Sequence, residues 1–126
     1  MPKSNIELGR SGERIAVDFL KINGYDIIST NFRNKIGQID VIAKDNETIC
    51  FVEVKTRRNQ RFGQPTEAIE LSKQRKISQV ALMYLKENKL LNSPARFDVI
   101  SISHPDIQPN VKLIKNAFEL DYRYLY

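Results

Sequence analysis

The sequence is short of several things, and each shortage closes off a class of protein. A single cysteine, Cys50, rules out a disulfide within the chain, so the fold has to rest on a packed core. The only histidine, His104, precedes Pro105 in a predicted turn and reads as structural or solvent-exposed rather than as a ligand. No apolar run approaches membrane length, and the opening Met1-Pro2-Lys3-Ser4-Asn5 has no signal-peptide core. The expectation is a cytoplasmic protein that makes no use of a membrane. There are no internal repeats, low-complexity segments or shifts in composition. Residues 1–126 are therefore expected to form one domain, long enough for a real core.

What is present is an ordinary globular balance, 41% hydrophobic and 28% charged, with a net charge of +5 and a pI near 9.4. That basic excess permits a nucleic-acid partner without requiring one. The stretch from Gly37 to Thr56 carries the most information. Branched residues alternate into Asp45-Asn46-Glu47 and then resume, which predicts a hairpin. With Asn46-Glu47 as a two-residue loop, Ile39 faces Val54, Val41 faces Val52 and Ala43 faces Cys50, on one apolar, buried side. The other side then sets Asp40 against Glu53 and Gln38 against Lys55. Cys50 is expected to be a buried thiol.

Like charges opposite one another, with Cβ atoms about 4.5–5.5 Å apart, are unfavourable and need a compensating cation. Mg²⁺ suits such a pair, because it takes oxygen ligands from one or two carboxylates and keeps several waters. Lys55 on the same side can screen the pair or stabilise an anion beside a metal. A Lys55–carboxylate salt bridge on a solvated face accounts for the same residues, and spacing leaves both readings open.

Around the hairpin, a helix is predicted from Glu7 to Asn23, with Ser4 or Asn5 as cap and Gly24 as stop. Its stripe is Leu8, Gly12, Ile15, Ala16, Phe19 and Leu20, with Glu13 at the margin, directed to solvent or across into a cleft. Gly9 and Gly12 weaken it, which makes sense where its first turns approach another backbone or a ligand. Tyr25–Phe32 reads as a strand. Arg57, Arg58, Arg61 and Phe62 lie on a predicted loop leaving the hairpin, suited to clamping a phosphate backbone and stacking a base, or simply solvated. A helix is predicted from Thr66 to about Asn88, with Lys73, Arg75 and Lys76 clustered early in it. Arg96–Ser103 and Val111–Lys115 read as strands, and Asn116–Tyr126 as an aromatic tail, either a short helix or a partner surface. The order αβββαββ implies an α/β fold with a mixed sheet flanked by helices, the second helix crossing between strands.

With these residues in place, the chain resembles the YraN family of small bacterial proteins, in the PD-(D/E)XK nuclease superfamily. The matching blocks are Gly12-Glu13 with Ala16, Asn31-Phe32-Arg33, Gly37-Gln38-Ile39-Asp40-Val41-Ile42, Phe51-Val52-Glu53-Val54-Lys55-Thr56-Arg57, Phe62-Gly63, Arg96-Phe97-Asp98-Val99-Ile100 and Asn116-Ala117-Phe118. The resemblance implies a restriction-endonuclease-like three-layer fold and a hydrolase of phosphodiester bonds. It implies that Asp40 and Glu53 hold Mg²⁺ or Mn²⁺, with the Val54 carbonyl as a further ligand. Lys55 then orients the attacking water or stabilises developing charge. By similarity to archaeal Holliday-junction resolvases, Glu13 completes the acidic site. The implied substrate is DNA in a branched or structured form, with Arg57, Arg58, Arg61, Lys73, Arg75 and Lys76 on flanking phosphates. A homodimer is implied by analogy with junction-cutting relatives. The alternative is a non-catalytic nucleic-acid-binding accessory of recombination or DNA uptake. Gln38 departs from the glutamate usual in the family and is expected to tune Lys55 rather than abolish the site.

Overall fold

Ser4 starts the first helix: its hydroxyl oxygen accepts the Glu7 amide at 3.2 Å, satisfying one of the donors a helix start leaves unpaired. The computed structural model describes residues 4–57, 69–103 and 108–119. Helix α1 runs Asn5–Ile22 and ends where the Asn23 side chain donates to the Phe19 carbonyl at 2.8 Å and Gly24 takes a φ of 88°. The stripe read from the sequence is its packed face, with Leu8, Ala16 and Leu20 buried.

Five strands follow as β1 (Asp26–Arg33), β2 (Gln38–Asp45), β3 (Thr48–Arg57), β4 (Ala95–Ser103) and β5 (Asn110–Phe118), with helix α2 (Leu71–Glu87) between β3 and β4. The sheet order is β1-β2-β3-β4-β5, antiparallel throughout except for the parallel pair β3–β4. A parallel pair needs a crossover, and α2 supplies it. Helix α1 covers one face through Ala16, Leu20, Val41, Ala43, Cys50, Val52, Ile100 and Ile102. Helix α2 covers the other through Ile77, Val80, Ala81, Tyr84 and Leu85, against Ile42, Phe51, Phe97 and Val99. This is the predicted three-layer α/β fold with elements in the order αβββαββ. No helix among the described residues is long and apolar enough to cross a membrane.

The β2–β3 hairpin has the expected register where it is paired, with Val41↔Val52, Ala43↔Cys50 and Asp45↔Thr48 around Asn46, whose φ is 55°, but the ladder ends at Val41↔Val52 and the expected pairs Ile39–Val54 and Asp40–Glu53 are not formed. Four expectations need correction. Ile39 does not share the side of Val41 and Ala43; it packs under α2. The side of β2–β3 expected to be polar also holds Ile42, Ile49 and Phe51, because α2 buries it. Helix α2 begins at Leu71 rather than at Thr66, since Ile69 is drawn into the core in a non-helical entry segment that the Gln74 side chain holds by donating to the Ile69 carbonyl at 2.7 Å. Residues 116–118 extend β5 instead of starting a separate tail, with Asn116 at φ 53° as the irregularity that lets the strand continue. Thr66, His104 and the end from Tyr122 to Tyr126 lie outside the described residues.

Candidate active site

The β2–β3 ladder reaches Val41↔Val52 and then opens. Past that point the Val54 amide donates to a side chain, Asp40 Oδ2, at 2.8 Å. Helix α1 crosses above the opening, and together they enclose a cavity of about 340 Å³ lined by Leu8, Gly9, Glu13, Asp40, Glu53, Val54 and Thr56. Gly12 permits this approach: a Cβ built there stands 1.9 Å from Thr56 Oγ1 and 2.9 Å from Thr56 Cβ. The missing side chain at Gly12 thus lets α1 settle onto the far end of β3, and the next residue, Glu13, reaches the cavity. The close approach inferred for the first turns of α1 is present at Gly12, against the Thr56 side chain and not a backbone, while nothing lies within 4 Å of a Cβ built at Gly9.

Asp40 is buried at 8% exposure, and the Glu53 side chain keeps 11%. Removing the Glu53 carboxyl from water beside another carboxylate disfavours its charged form. Glu53 accordingly titrates above the ordinary glutamate range, first because of burial and next because of the Asp40 charge, and the Lys73 ammonium on Glu53 Oε1 partly offsets both. The amine hydrogen-bonded to Glu53 is Lys73, from α2. Lys55 alternates onto the α2 side of β3 with Glu53, and its ammonium is pushed below the usual lysine range by burial, then by Arg57 and Lys73. Asp40 and Glu53 offer hard oxygen donors in a cavity open to water, a donor set that fits Mg²⁺ or Mn²⁺ with waters completing the shell. Among the described residues no group of three or more His, Cys, Asp or Glu side chains stands ready to enclose an ion.

Of the other residues read from the sequence, Val54 lines the cavity and Arg57 ends β3. Gln38 is exposed and pairs with Arg33 of β1, while the β2–β3 ladder stops at Val41↔Val52. The expected opposition of Gln38 and Lys55 is thus not formed. Arg75 and Lys76 lie exposed in the first turns of α2, and the Lys76 stem comes within 3.4 Å of where a Cβ on Gly37 would stand. Arg58, Arg61 and Phe62 lie outside the described residues. Sequence reasoning missed Leu8 and Thr56 as lining residues.

It also missed a second polar cluster at the hairpin end of the sheet. There Asp98, with no exposure, accepts from Arg96 Nε at 3.0 Å and from the Asn116 amide at 2.9 Å. Arg96 donates onward to Asp45 Oδ2 at 2.7 Å and to the Tyr25 hydroxyl at 2.9 Å. The available signal was Arg96 and Asp98 two apart on one strand that carries no other charge.

Comparison with known proteins gives a consistent picture. The family model described as uncharacterised protein family UPF0102 matches residues 12–102. A UPF0102 protein of Geotalea uraniireducens is 50% identical over 119 residues, covering 94% of both chains. Another, from Caldicellulosiruptor saccharolyticus, is 50% identical over 115 residues, covering 89% of this chain and 97% of its own. One from Clostridium botulinum is 46% identical over 119 residues, covering 92% and 97% respectively.

Proposed function

Because this chain belongs to UPF0102, the YraN family read from its sequence, and that family is described as uncharacterised, its function has to be read from its own site, and we propose a metal-dependent endonuclease that hydrolyses phosphodiester bonds in branched or otherwise structured DNA. The observation that carries this reading is the meeting of Asp40, buried, and Glu53, half-buried, from adjacent strands at a cavity that Glu13 of α1 also lines. Carboxyls gathered in a water-accessible cavity suit a divalent cation, which would share Glu53 with the Lys73 ammonium, and a nuclease uses one.

Asp40 and Glu53 would hold Mg²⁺ or Mn²⁺, with the Val54 carbonyl as a further oxygen donor. Such an ion polarises the scissile phosphate and lowers the pKa of its water. The Val54 amide fixes the Asp40 carboxylate through its hydrogen bond. Lys55 orients the attacking water or stabilises the charge that develops on the phosphate. Glu13 adds a third carboxylate from across the cavity. Arg57, Arg58, Arg61, Lys73, Arg75 and Lys76 hold flanking phosphates without reading sequence, consistent with the net charge of +5. A homodimer belongs to the same proposal, by analogy with junction-cutting enzymes of this fold.

A second reading, a non-catalytic nucleic-acid-binding accessory of recombination or DNA uptake, draws on the Lys73 ammonium that already sits on Glu53. One experiment separates the two. Purified protein is incubated with linear, flapped and four-way DNA in Mg²⁺ and in Mn²⁺, beside Asp40→Asn and Glu53→Gln. Cleavage that both substitutions abolish, with binding retained, supports the enzyme. Salt-dependent binding with no cleavage supports the accessory, and cleavage that survives both substitutions overturns the assignment of this site.

A further inference from the structure

Asn31 lies on β1, the edge strand, outside the cavity, and the proposed chemistry gives it no role. It is exposed, yet its φ is 52° in the middle of the strand. Left-handed backbone is uncommon for any residue with a Cβ, and asparagine is among those that tolerate it best. The pairs Thr30↔Val41 and Phe32↔Ile39 on either side bracket Asn31 and Asp40 across from one another.

At this same point the alternation of β2 breaks. Ile39 and Ile42, three residues apart, both pack under α2, whereas Val41 and Ala43 both pack under α1. In an uninterrupted strand residues two apart share a side, so a strand that keeps Ile42 under α2 would carry Asp40 there too and turn Ile39 toward α1. Instead Ile39 is under α2. The Val54 amide, which would meet the Ile39 carbonyl if the β2–β3 ladder continued in register, donates to Asp40 Oδ2 at 2.8 Å. Local breaks of this kind re-aim one side chain while leaving both ends of a strand in place.

We propose that Asn31 is a positioning residue: its left-handed backbone imposes on the β1–β2 pair the local twist that resets β2 at Asp40 and turns that carboxylate onto the Val54 amide and into the cavity. The consequence for metal binding rests on the proposed nuclease reading; the consequence for the Asp40–Val54 hydrogen bond does not.

The test compares Asn31→Gly, which keeps a positive φ at little cost, with Asn31→Val, whose branched side chain opposes it. Two measurements are made: the Val54 amide resonance and its hydrogen exchange by NMR, with Asp40→Asn marking the broken bond, and Mn²⁺ affinity by calorimetry. Asn31→Gly is expected to match the parent in both. In Asn31→Val the Val54 resonance is expected to move toward its position in Asp40→Asn, its exchange to quicken about tenfold, and Mn²⁺ affinity to fall about tenfold, the change that about 1.4 kcal/mol of misplacement produces. Asn31→Ala, a milder substitution, takes the place of the valine variant if that chain does not fold. A folded Asn31→Val or Asn31→Ala whose Val54 amide and exchange match the parent overturns the inference. A parent that binds no Mn²⁺ overturns the nuclease reading alone, and the Val54 amide still decides for or against Asn31.

Discussion

The ammonium of Lys73, in the first turn of α2, rests on Oε1 of Glu53 in β3, so the carboxyl pair draws its counter-charge from a helix packed against the sheet. Lys73→Met removes that charge and leaves Glu53 beside Asp40. Since 51% of the Lys73 side chain is in solvent, screening limits the loss to about 1 kcal/mol at pH 8. The sign of the pH dependence follows from Glu53, whose carboxyl is raised by burial and by Asp40. A group that binds its proton more tightly when folded stabilises the fold most below its unfolded pKa, and that contribution is lost as pH rises through the folded value. The substitution is expected to make this loss steeper, so variant and parent converge toward pH 4 and diverge toward pH 8 in urea denaturation. Added Mg²⁺ is expected to raise the stability of the variant more than that of the parent, because the ion no longer competes with an amine.

Gly12 and Thr56 give a test with a definite sign. In an open helix, glycine to alanine gains up to about 1 kcal/mol, and Gly9, with nothing within 4 Å of an added Cβ, is expected to gain on that scale. Gly12→Ala is expected to do the opposite, losing about 1–3 kcal/mol, because its Cβ would meet Thr56 Oγ1 at 1.9 Å and Thr56 Cβ at 2.9 Å. Thr56→Ala removes the first contact and keeps the second, so it should restore part of the loss. Thermal melts of the three single variants and the Gly12→Ala/Thr56→Ala double variant measure each step.

These two cases mark where local pattern carries information and where it runs out. The span of α1, its buried stripe and the hairpin register were legible because each depends on neighbours: Ser4 on Glu7, Gly24 on the helix end, Asn46-Glu47 on strands a few residues away. Asp40 and Glu53 were legible as near neighbours on one hairpin, but they come together past the end of the ladder and not as the directly facing pair expected. Ile39 was placed on the wrong side because the irregularity that moves it lies opposite Asn31, on another strand. The Lys73 contact with Glu53 was not legible because the position of α2 against β3 is tertiary and leaves no periodic mark along the chain. The cluster of Tyr25, Asp45, Arg96 and Asp98 gathers from separate strand ends, with Arg96 bonding to residues 71 and 51 positions away.

Cys50 offers a probe of native packing. Burial, and next the charge of Asp98, push its thiol up to about 12. Thiol reagents attack the thiolate, so at pH 8 the folded protein is expected to resist modification. Labelling should proceed only through opening of the fold, with a rate that rises in urea alongside unfolding. Prompt stoichiometric labelling of the native chain would contradict the buried position of β3.

The Arg96 cluster sets the acid limit of the fold. Asp98 is entirely buried, and Arg96 is its only charged hydrogen-bond donor among the described contacts, beside the Asn116 amide and the Tyr25 hydroxyl at 3.4 Å. Arg96→Met keeps much of the side-chain volume and strands that carboxylate, an expected loss of about 3–5 kcal/mol at pH 7. Arg96 also bonds Asp45, and that hydrogen bond is the main reason the Asp45 carboxyl lies below the usual range, with Lys115 adding to it. A carboxyl with a depressed folded pKa contributes stability that is complete above its unfolded value and disappears as pH falls through the folded one. The parent is therefore expected to lose stability below about pH 4, the ordinary aspartate value, and Arg96→Met to lose less over that interval because Asp45 no longer has a bond to forfeit. Tyr25→Phe separates the two effects. It removes the 2.9 Å bond from Arg96 to a phenol that burial and Asp98 hold at about 12, together with the 3.4 Å bond from that phenol to Asp98, and leaves Arg96 on both carboxylates. Its cost is expected to be about 1 kcal/mol at pH 7, well below that of Arg96→Met. Urea denaturation of parent, Arg96→Met and Tyr25→Phe between pH 3 and pH 7 measures all three, and a parallel acid limb in parent and Arg96→Met would place the acid-sensitive carboxylate elsewhere.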